Sequence, residues 1–284
     1  MEKVPAMRAL VAGLIWLVTT PVLAQTARPT AADIDVAMQR SFGYDPAVTW
    51  KVLDVEPSDI AGLTEALVSI NGKAPNRLFV SADGKAAIVG DVIPFGPDPF
   101  AQARARLVAA AGPARGGSAI TLVVFTDFEC VHCKAAHPVL DKLAADFPEV
   151  RQVVVEFPLP ASLDPWATTA ARVGDCVART DAKAFWPFAD AVFASQGDIA
   201  AATAEARLLD LAAAVGLNRA AVAACASAPQ TAERVQASLA FGQSLKVDQA
   251  PTVFLNGRRV LGLADIPYEN LKQLVRFEID HANR

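Results

Sequence analysis

A run of β-branched and apolar residues, Ala119–Thr126, stops just short of Cys130-Val131-His132-Cys133, and that tetrad opens a helical pattern reaching Ala145. This juxtaposition constrains the chain more than any other feature. A strand, a short turn and a helix place two thiols at a helix N-terminus, where free N–H groups and a partial positive charge favour thiolate over thiol. The thiolate is the nucleophile of disulfide exchange, so the position suits redox chemistry. Cys130, nearest the helix end, is expected to be the exposed attacker. Cys133, one turn inside, is expected to resolve. His132, between them, tunes the pair electrostatically if charged.

Other uses of Cys-x-x-Cys fit less well. A c-type haem site needs His directly after the second Cys, and Lys134 stands there. A structural zinc site needs two further ligands at suitable spacing. His137 supplies one and no second Cys-x-x-Cys follows, so His137 reads as a helix-face residue. No metal and no cofactor is expected. A binding module, a chaperone or a copper or zinc protein using the same cysteines as ligands, stands as the alternative function, since soft thiolates suit those metals.

The amino terminus reads as an export signal covering 1–24. Lys3 and Arg8 precede an apolar run, Ala9–Val18, that is too short to span a bilayer, and Val22-Leu23-Ala24 offers a cleavage site. An exported chain meets an oxidising compartment, the periplasm, where an even number of cysteines reads as disulfides. Of the four cysteines, Cys130 and Cys133 are too close for an ordinary staple. Cys176 and Cys225 remain, and a structural bridge between them is worth about 4 kcal/mol in the chain-entropy model. The full chain carries 26 basic and 30 acidic residues, a net charge of −4. That gives no electrostatic footprint for nucleic acid.

Between the signal and the redox tetrad, residues 25–98 read as a small α+β domain. Residues 31–42 form a helix. Short apolar runs follow, separated by Asn71-Gly72 and Asp83-Gly84, both hairpin signals. Residues 99–118 read as a helix, Phe100–Ala111, and a linker, Gly112–Ser118, with the domain boundary at the linker. Residues 119–284 then run strand, helix, strand (Gln152–Phe157), an all-helical insertion (165–245), strand (Thr252–Leu255), Asn256-Gly257 turn, strand (Arg259–Leu263) and a final helix, Ile266–His281. The fold expected is α/β: a mixed four-stranded sheet with helices packed on it.

Phe125-Thr126-Asp127-Phe128-Glu129-Cys130-Val131-His132-Cys133-Lys134 resembles the active-site turn of the DsbA-like branch of the thioredoxin superfamily. Gln249-Ala250-Pro251-Thr252-Val253-Phe254-Leu255-Asn256-Gly257 resembles that family's cis-proline loop and hairpin. The resemblance covers about residues 115–284. It implies a thioredoxin-like fold, protein disulfide oxidase or isomerase activity on exported client proteins, and a membrane partner that resets the pair. It also implies a cis Ala250–Pro251 bond facing Cys130, with Ala250 offering its backbone to substrate as an added strand. Family members often carry a buried acid six residues before the first Cys. Val124 stands there, and Asp127 and Glu129 read as solvated turn residues.

Pro57–Leu63, Leu78–Lys85 and Ile88–Asp91 resemble the amino-terminal domain of the DsbC/DsbG isomerases. That likeness implies a homodimer through this domain, V-shaped, with clients held between two active sites. The same residues also suit a small accessory domain.

Overall fold

The computed structural model describes residues 28–73, 75–90, 95–161 and 163–282. The export signal at 1–24 lies outside them. The chain divides into two compact units, Met1–Ile93 and Pro94–Arg284.

In the first unit α1 (Ala31–Phe42) precedes an antiparallel sheet of β1 (Trp50–Pro57), β2 (Leu63–Ile70), β3 (Asn76–Ser81) and β4 (Ala87–Val89), in that spatial order. The Thr30 side chain accepts from the Asp33 N–H, and the Asp33 carboxylate accepts from the Thr30 N–H, a reciprocal cap that starts α1. Asn71 and Gly72 both have positive φ (53° and 68°) and turn the chain at the start of the connection from β2 to β3, closed by a hydrogen bond from the Lys73 N–H to the Ile70 carbonyl. Ile34 and Met38 of α1 pack on Ala66, Val68 and Val80 of the sheet.

The second unit contains α2 (Ala101–Leu107), β5 (Ala114–Arg115), β6 (Thr121–Thr126), α3 (Val131–Asp146) and β7 (Arg151–Glu156). Five helices follow: α4 (Ala167–Thr180), α5 (Phe185–Ser195), α6 (Ala204–Ala214), α7 (Arg219–Ser227) and α8 (Pro229–Ser244). β8 (Thr252–Leu255), β9 (Arg258–Val260) and α9 (Tyr268–His281) complete it. The sheet order is β5-β7-β6-β8-β9, with β6 and β7 parallel and the other neighbours antiparallel.

The four strands expected from the sequence are present, and β5 adds a fifth. It comes from Gly112–Ser118, the stretch read as a linker. Ala114 and Arg115 pair with Val153 and Gln152, and a Cβ on Gly116 (φ +87°) would meet the Val150 carbonyl oxygen at 2.0 Å. These glycines thus serve close backbone approach to β7 as well as turning the chain. Leu107 and Ala110, just before them, are buried with Val123, Phe125 and Val153. Residues 99–118 are therefore part of the second unit's packing, and the division between units falls earlier, at Ile93/Pro94.

Both faces of this sheet are covered, which is why β6 and β7 carry unbroken apolar centres, Leu122–Phe125 and Val153–Val155. Val123, Phe125, Val153 and Val155 point toward α2 and α8. Leu122 and Val124 point toward α3 and α9, against Leu140 and Leu271. The helical insertion has its own core around Phe128, Phe185 and Phe188, and both Cys130 and Cys133 sit in it.

Candidate active site

β6 ends at Thr126, and Cys130 is the N-cap of α3, with extended backbone (φ −71°, ψ 123°). Cys130 and Cys133 are free thiols, 7 % and 2 % exposed. The expectation of an exposed Cys130 is corrected: the residue is buried in the core that the helical insertion forms over the turn. Cys130 Sγ lies 3.2 Å from the Ala250 carbonyl oxygen, to which it donates when protonated. The Ala250–Pro251 peptide is cis. The two segments 120 residues apart in the chain thus meet at one sulfur.

The two thiols differ sharply. Cys130 is pulled down to about 6, chiefly by a hydrogen bond from the Cys133 thiol, with backbone N–H groups of Cys133 and His132 adding to it against the penalty of burial. Cys133 is pushed well above the ordinary thiol value, first by burial and then by donating to Cys130. Above pH about 6 the pair therefore holds one thiolate and one thiol, with the proton on Cys133. His132 contributes its backbone N–H; its side chain is exposed.

Asp127 corrects the sequence reading. It is 1 % exposed rather than solvated. Its carboxylate accepts from the Glu129 N–H (2.8 Å) and the Leu159 N–H (2.7 Å), while its own N–H donates to Cys133 Sγ at 3.4 Å. Burial raises it to about 7 in spite of those two donors. Glu129 is half-buried and accepts from the Trp166 N–H, so it too is held by structure rather than by solvent. The position of the missing family acid, Val124, is 2 % exposed in the apolar layer under α3.

Two residues went unremarked in the sequence. Gln196, 8 % exposed, donates from Nε2 to the carbonyl oxygens of Phe128 (2.9 Å) and Cys130 (3.1 Å) and so ties the helical insertion to the active-site turn. Glu156 ends β7 fully buried, with neither carboxyl oxygen hydrogen-bonded. An acid directly after the apolar run Val153–Val155 of a doubly covered strand is the signal that would have found it.

His137 is engaged by acids of α3 and α5. Its Nε2 lies 2.6 Å from Asp190 Oδ1 and 3.4 Å from Asp141 Oδ2, and its ring packs on Phe193 at 4.7 Å between centroids. Cys176 in α4 and Cys225 in α7 are bonded to each other, Cα atoms 5.9 Å apart, far from the redox pair in the chain but within the same helical insertion.

A parallel βαβ unit with two thiols at the helix start, and a cis-proline loop against the first of them, define the thioredoxin-fold class of thiol–disulfide oxidoreductase. The family model described as thioredoxin matches residues 117–276, and the chain belongs to that family. Its fold is shared with oxidised BdbD from Bacillus subtilis (22 % identity, 60 % of this chain and 93 % of that one, TM-score 0.52). It is shared likewise with the thiol-disulfide exchange protein alpha-DsbA2 from Wolbachia pipientis (16 %, 64 % and 99 %, TM-score 0.54). The catalytic domain of Proteus mirabilis ScsC superposes at a TM-score of 0.51 (19 % identity, 62 % and 98 % covered).

Among curated proteins, a Na(+)/H(+) antiporter NhaA of Herminiimonas arsenicoxydans is 34 % identical over 147 residues, 51 % of this chain and 22 % of that protein. NhaA 1 of Salinispora arenicola is 31 % identical over 147 residues, again 22 % of its length. The chain thus spans about a fifth of those relatives. Among the described residues no helix is long and apolar enough to cross a membrane.

Proposed function

We propose that the protein introduces disulfides into exported proteins in the periplasm, using Cys130–Cys133 as the exchanged pair. The observation that carries this is the split between the two thiols: Cys130 near 6 and Cys133 far above it. A low-pKa thiol is a good leaving group, and stabilising its thiolate stabilises the reduced enzyme, so the oxidised pair is driven to take electrons from clients.

The exchange runs in two steps. A client thiolate attacks Cys130 Sγ of the enzyme disulfide. The Cys130–Cys133 bond breaks, the mixed disulfide forms, and Cys133 leaves and takes up a proton, as its raised pKa demands. A second client thiolate then attacks the client sulfur of the mixed disulfide. Cys130 leaves as thiolate, the client holds the new disulfide, and two electrons have passed to the enzyme. The Ala250 backbone beside Cys130 Sγ supports docking of an extended client segment as an added strand. A membrane redox partner that reoxidises the pair completes the cycle.

Export is supported by the apolar run and cleavage-type residues within 1–24 and by the Cys176–Cys225 bond, which suits an oxidising compartment. Dimerisation through the first unit belongs to an isomerase reading and rests on the sequence resemblance.

Redox titration of the mature protein in glutathione buffers, with thiols alkylated and counted by mass spectrometry, tests the proposal. Cys130 and Cys133 should interconvert while Cys176–Cys225 stays closed, and the oxidised protein should convert a reduced client to its disulfide form. Absence of exchange at Cys130 would end the reading. Rescue of a scrambled client by a dimer, with no net oxidation of a reduced one, would replace oxidase with isomerase.

A further inference from the structure

Each turn of the exchange moves a proton on or off Cys133, and Cys133 is only 2 % exposed. Burial holds its thiol well above the ordinary value, so hydroxide removes that proton slowly near neutrality. Val124, under α3, offers no acceptor. Asp127 meets the sulfur through its N–H, and its carboxylate is taken up by the Glu129 and Leu159 N–H groups.

A cavity of about 20 Å³ lies against this thiol, between α3, α5, β6 and β7. Cys133, His137, Thr126 and Gln152 all line it. The volume suits one water, and a buried water needs about two to four polar partners, which these side chains supply. The Thr126 hydroxyl also hydrogen-bonds Cys133 and favours its thiolate. Cys133 and His137 stand one turn apart on the same face of α3, with Cβ atoms about 5–6 Å from each other. That separation is bridged by a single water.

The surroundings of His137 equip it to take a proton. Its Nε2 lies 2.6 Å from Asp190 Oδ1 of α5 and 3.4 Å from Asp141 Oδ2 of α3. The other Asp141 oxygen is held by Arg115 of β5. A carboxylate on Nε2 keeps the hydrogen there and leaves the lone pair on Nδ1. The same carboxylate stabilises the imidazolium once Nδ1 is protonated. The side chain is 17 % exposed, so the proton has a way out to solvent.

We propose that His137 carries the proton of Cys133 to and from solvent through one water in the cavity that the two side chains share. The proposal rests on exchange at Cys130–Cys133 being the protein's activity. When the enzyme is reoxidised, a mixed disulfide stands on Cys130. The Cys133 thiol passes its proton to the water, and the water passes one to Nδ1. Cys133 Sγ attacks Cys130 Sγ, the bond from Cys130 to the outer sulfur breaks, and that sulfur leaves as thiolate with the electron pair. The imidazolium then releases its proton to solvent. In client oxidation the path runs backwards, and the imidazolium protonates Cys133 as it leaves Cys130.

The test mixes the reduced mature protein with excess oxidised glutathione from pH 6 to 9, quenches in acid and resolves the species by mass spectrometry. Glutathionylation of Cys130 is the first step and reports exchange itself. Release of glutathione by Cys133 is the second and reports the proton. In the wild type the second step should quicken with pH and then level off once the imidazole is unprotonated. His137→Gln keeps a hydrogen-bonding side chain beside Asp190 but no base. Its second step should slow at least tenfold at pH 7 and climb about tenfold per pH unit without levelling, as hydroxide takes over; its first step should stay fast. Asp190→Asn, at an exposed position, should move the levelling point to lower pH, because the lost carboxylate favoured the charged ring. An unchanged second step in His137→Gln, folded by circular dichroism, would overturn the proposal, as would an unmoved levelling point in Asp190→Asn. Absence of glutathionylation in the wild type would instead remove the exchange reading, and this proposal with it.

Discussion

Cys130 Sγ lies 3.2 Å from the carbonyl oxygen of Ala250, so this sulfur and the proline-loop backbone are in contact although 120 residues separate them. The sulfur's other neighbours are donors: the Cys133 thiol and the first N–H groups of α3. The thiolate absorbance of the reduced protein should therefore titrate with a midpoint near 6. Cys133→Ala removes the largest stabilising contact and should move the midpoint up, toward the ordinary thiol value of 9. A wild-type midpoint near 9 would contradict the arrangement at the helix start.

The same shift makes the stability of the reduced protein pH-dependent. Cys130 titrates lower in the folded chain (about 6) than its ordinary value of 9.0. Its contribution builds between those pH values, is present above the upper one, and is lost as pH falls through the lower one. The full effect is up to about 4 kcal/mol. The oxidised protein has no Cys130 thiol to titrate. Asp127, raised to about 7, works in the opposite direction but is present in both forms. Urea denaturation of reduced and oxidised protein from pH 5 to 8 should show the reduced form gaining on the oxidised one as pH rises. A constant difference would exclude a depressed Cys130.

Gln196 joins the insertion to the turn by two hydrogen bonds from a single amide nitrogen, to the carbonyls of Phe128 and Cys130. Gln196→Leu keeps the volume, strands the Phe128 carbonyl and leaves the Cys130 carbonyl with the Lys134 N–H alone. A loss of about 1–3 kcal/mol is expected in denaturant unfolding. The turn that presents Cys130 should also loosen, seen as a changed Cys130 titration midpoint. A purely structural role would lower stability and leave that midpoint in place.

The Cys176–Cys225 bond closes a loop of 49 residues of separation between α4 and α7. Replacing both with Ser should cost about 2–4 kcal/mol. Exchange at Cys130 should persist at temperatures where the variant stays folded, since the bond touches neither redox sulfur. Loss of exchange in a folded double variant would show that this bond takes part in the chemistry.

Local sequence was enough to place the strand, the Cys-Val-His-Cys turn, α3, the proline loop and the hairpin at Asn256-Gly257, because each is written in short-range periodicity or turn chemistry. The Asn256 and Gly257 φ values, 50° and 88°, are the ones that dipeptide tolerates. Gly112–Ser118 misled for the same reason. Its composition is that of a linker, but Gly116 and Gly117 are there because the Val150 and Glu149 backbones pass close by, and that approach is a property of β7's position.

Burial was the part that only the tertiary structure decided. Asp127 and Glu129 look alike in a turn sequence, yet one is enclosed by Leu159 and the redox thiol and the other is half-open. Glu156 looks like the polar end of a strand until α4 closes over it and leaves its oxygens without donors. Gln196 acquires its role from the path of α5, 66 residues beyond Cys130. The sequence by itself determined that two thiols would stand at the start of a helix. The fold decided which acids lose their water around them, because desolvation comes from residues distant in the chain and has no local pattern to announce it.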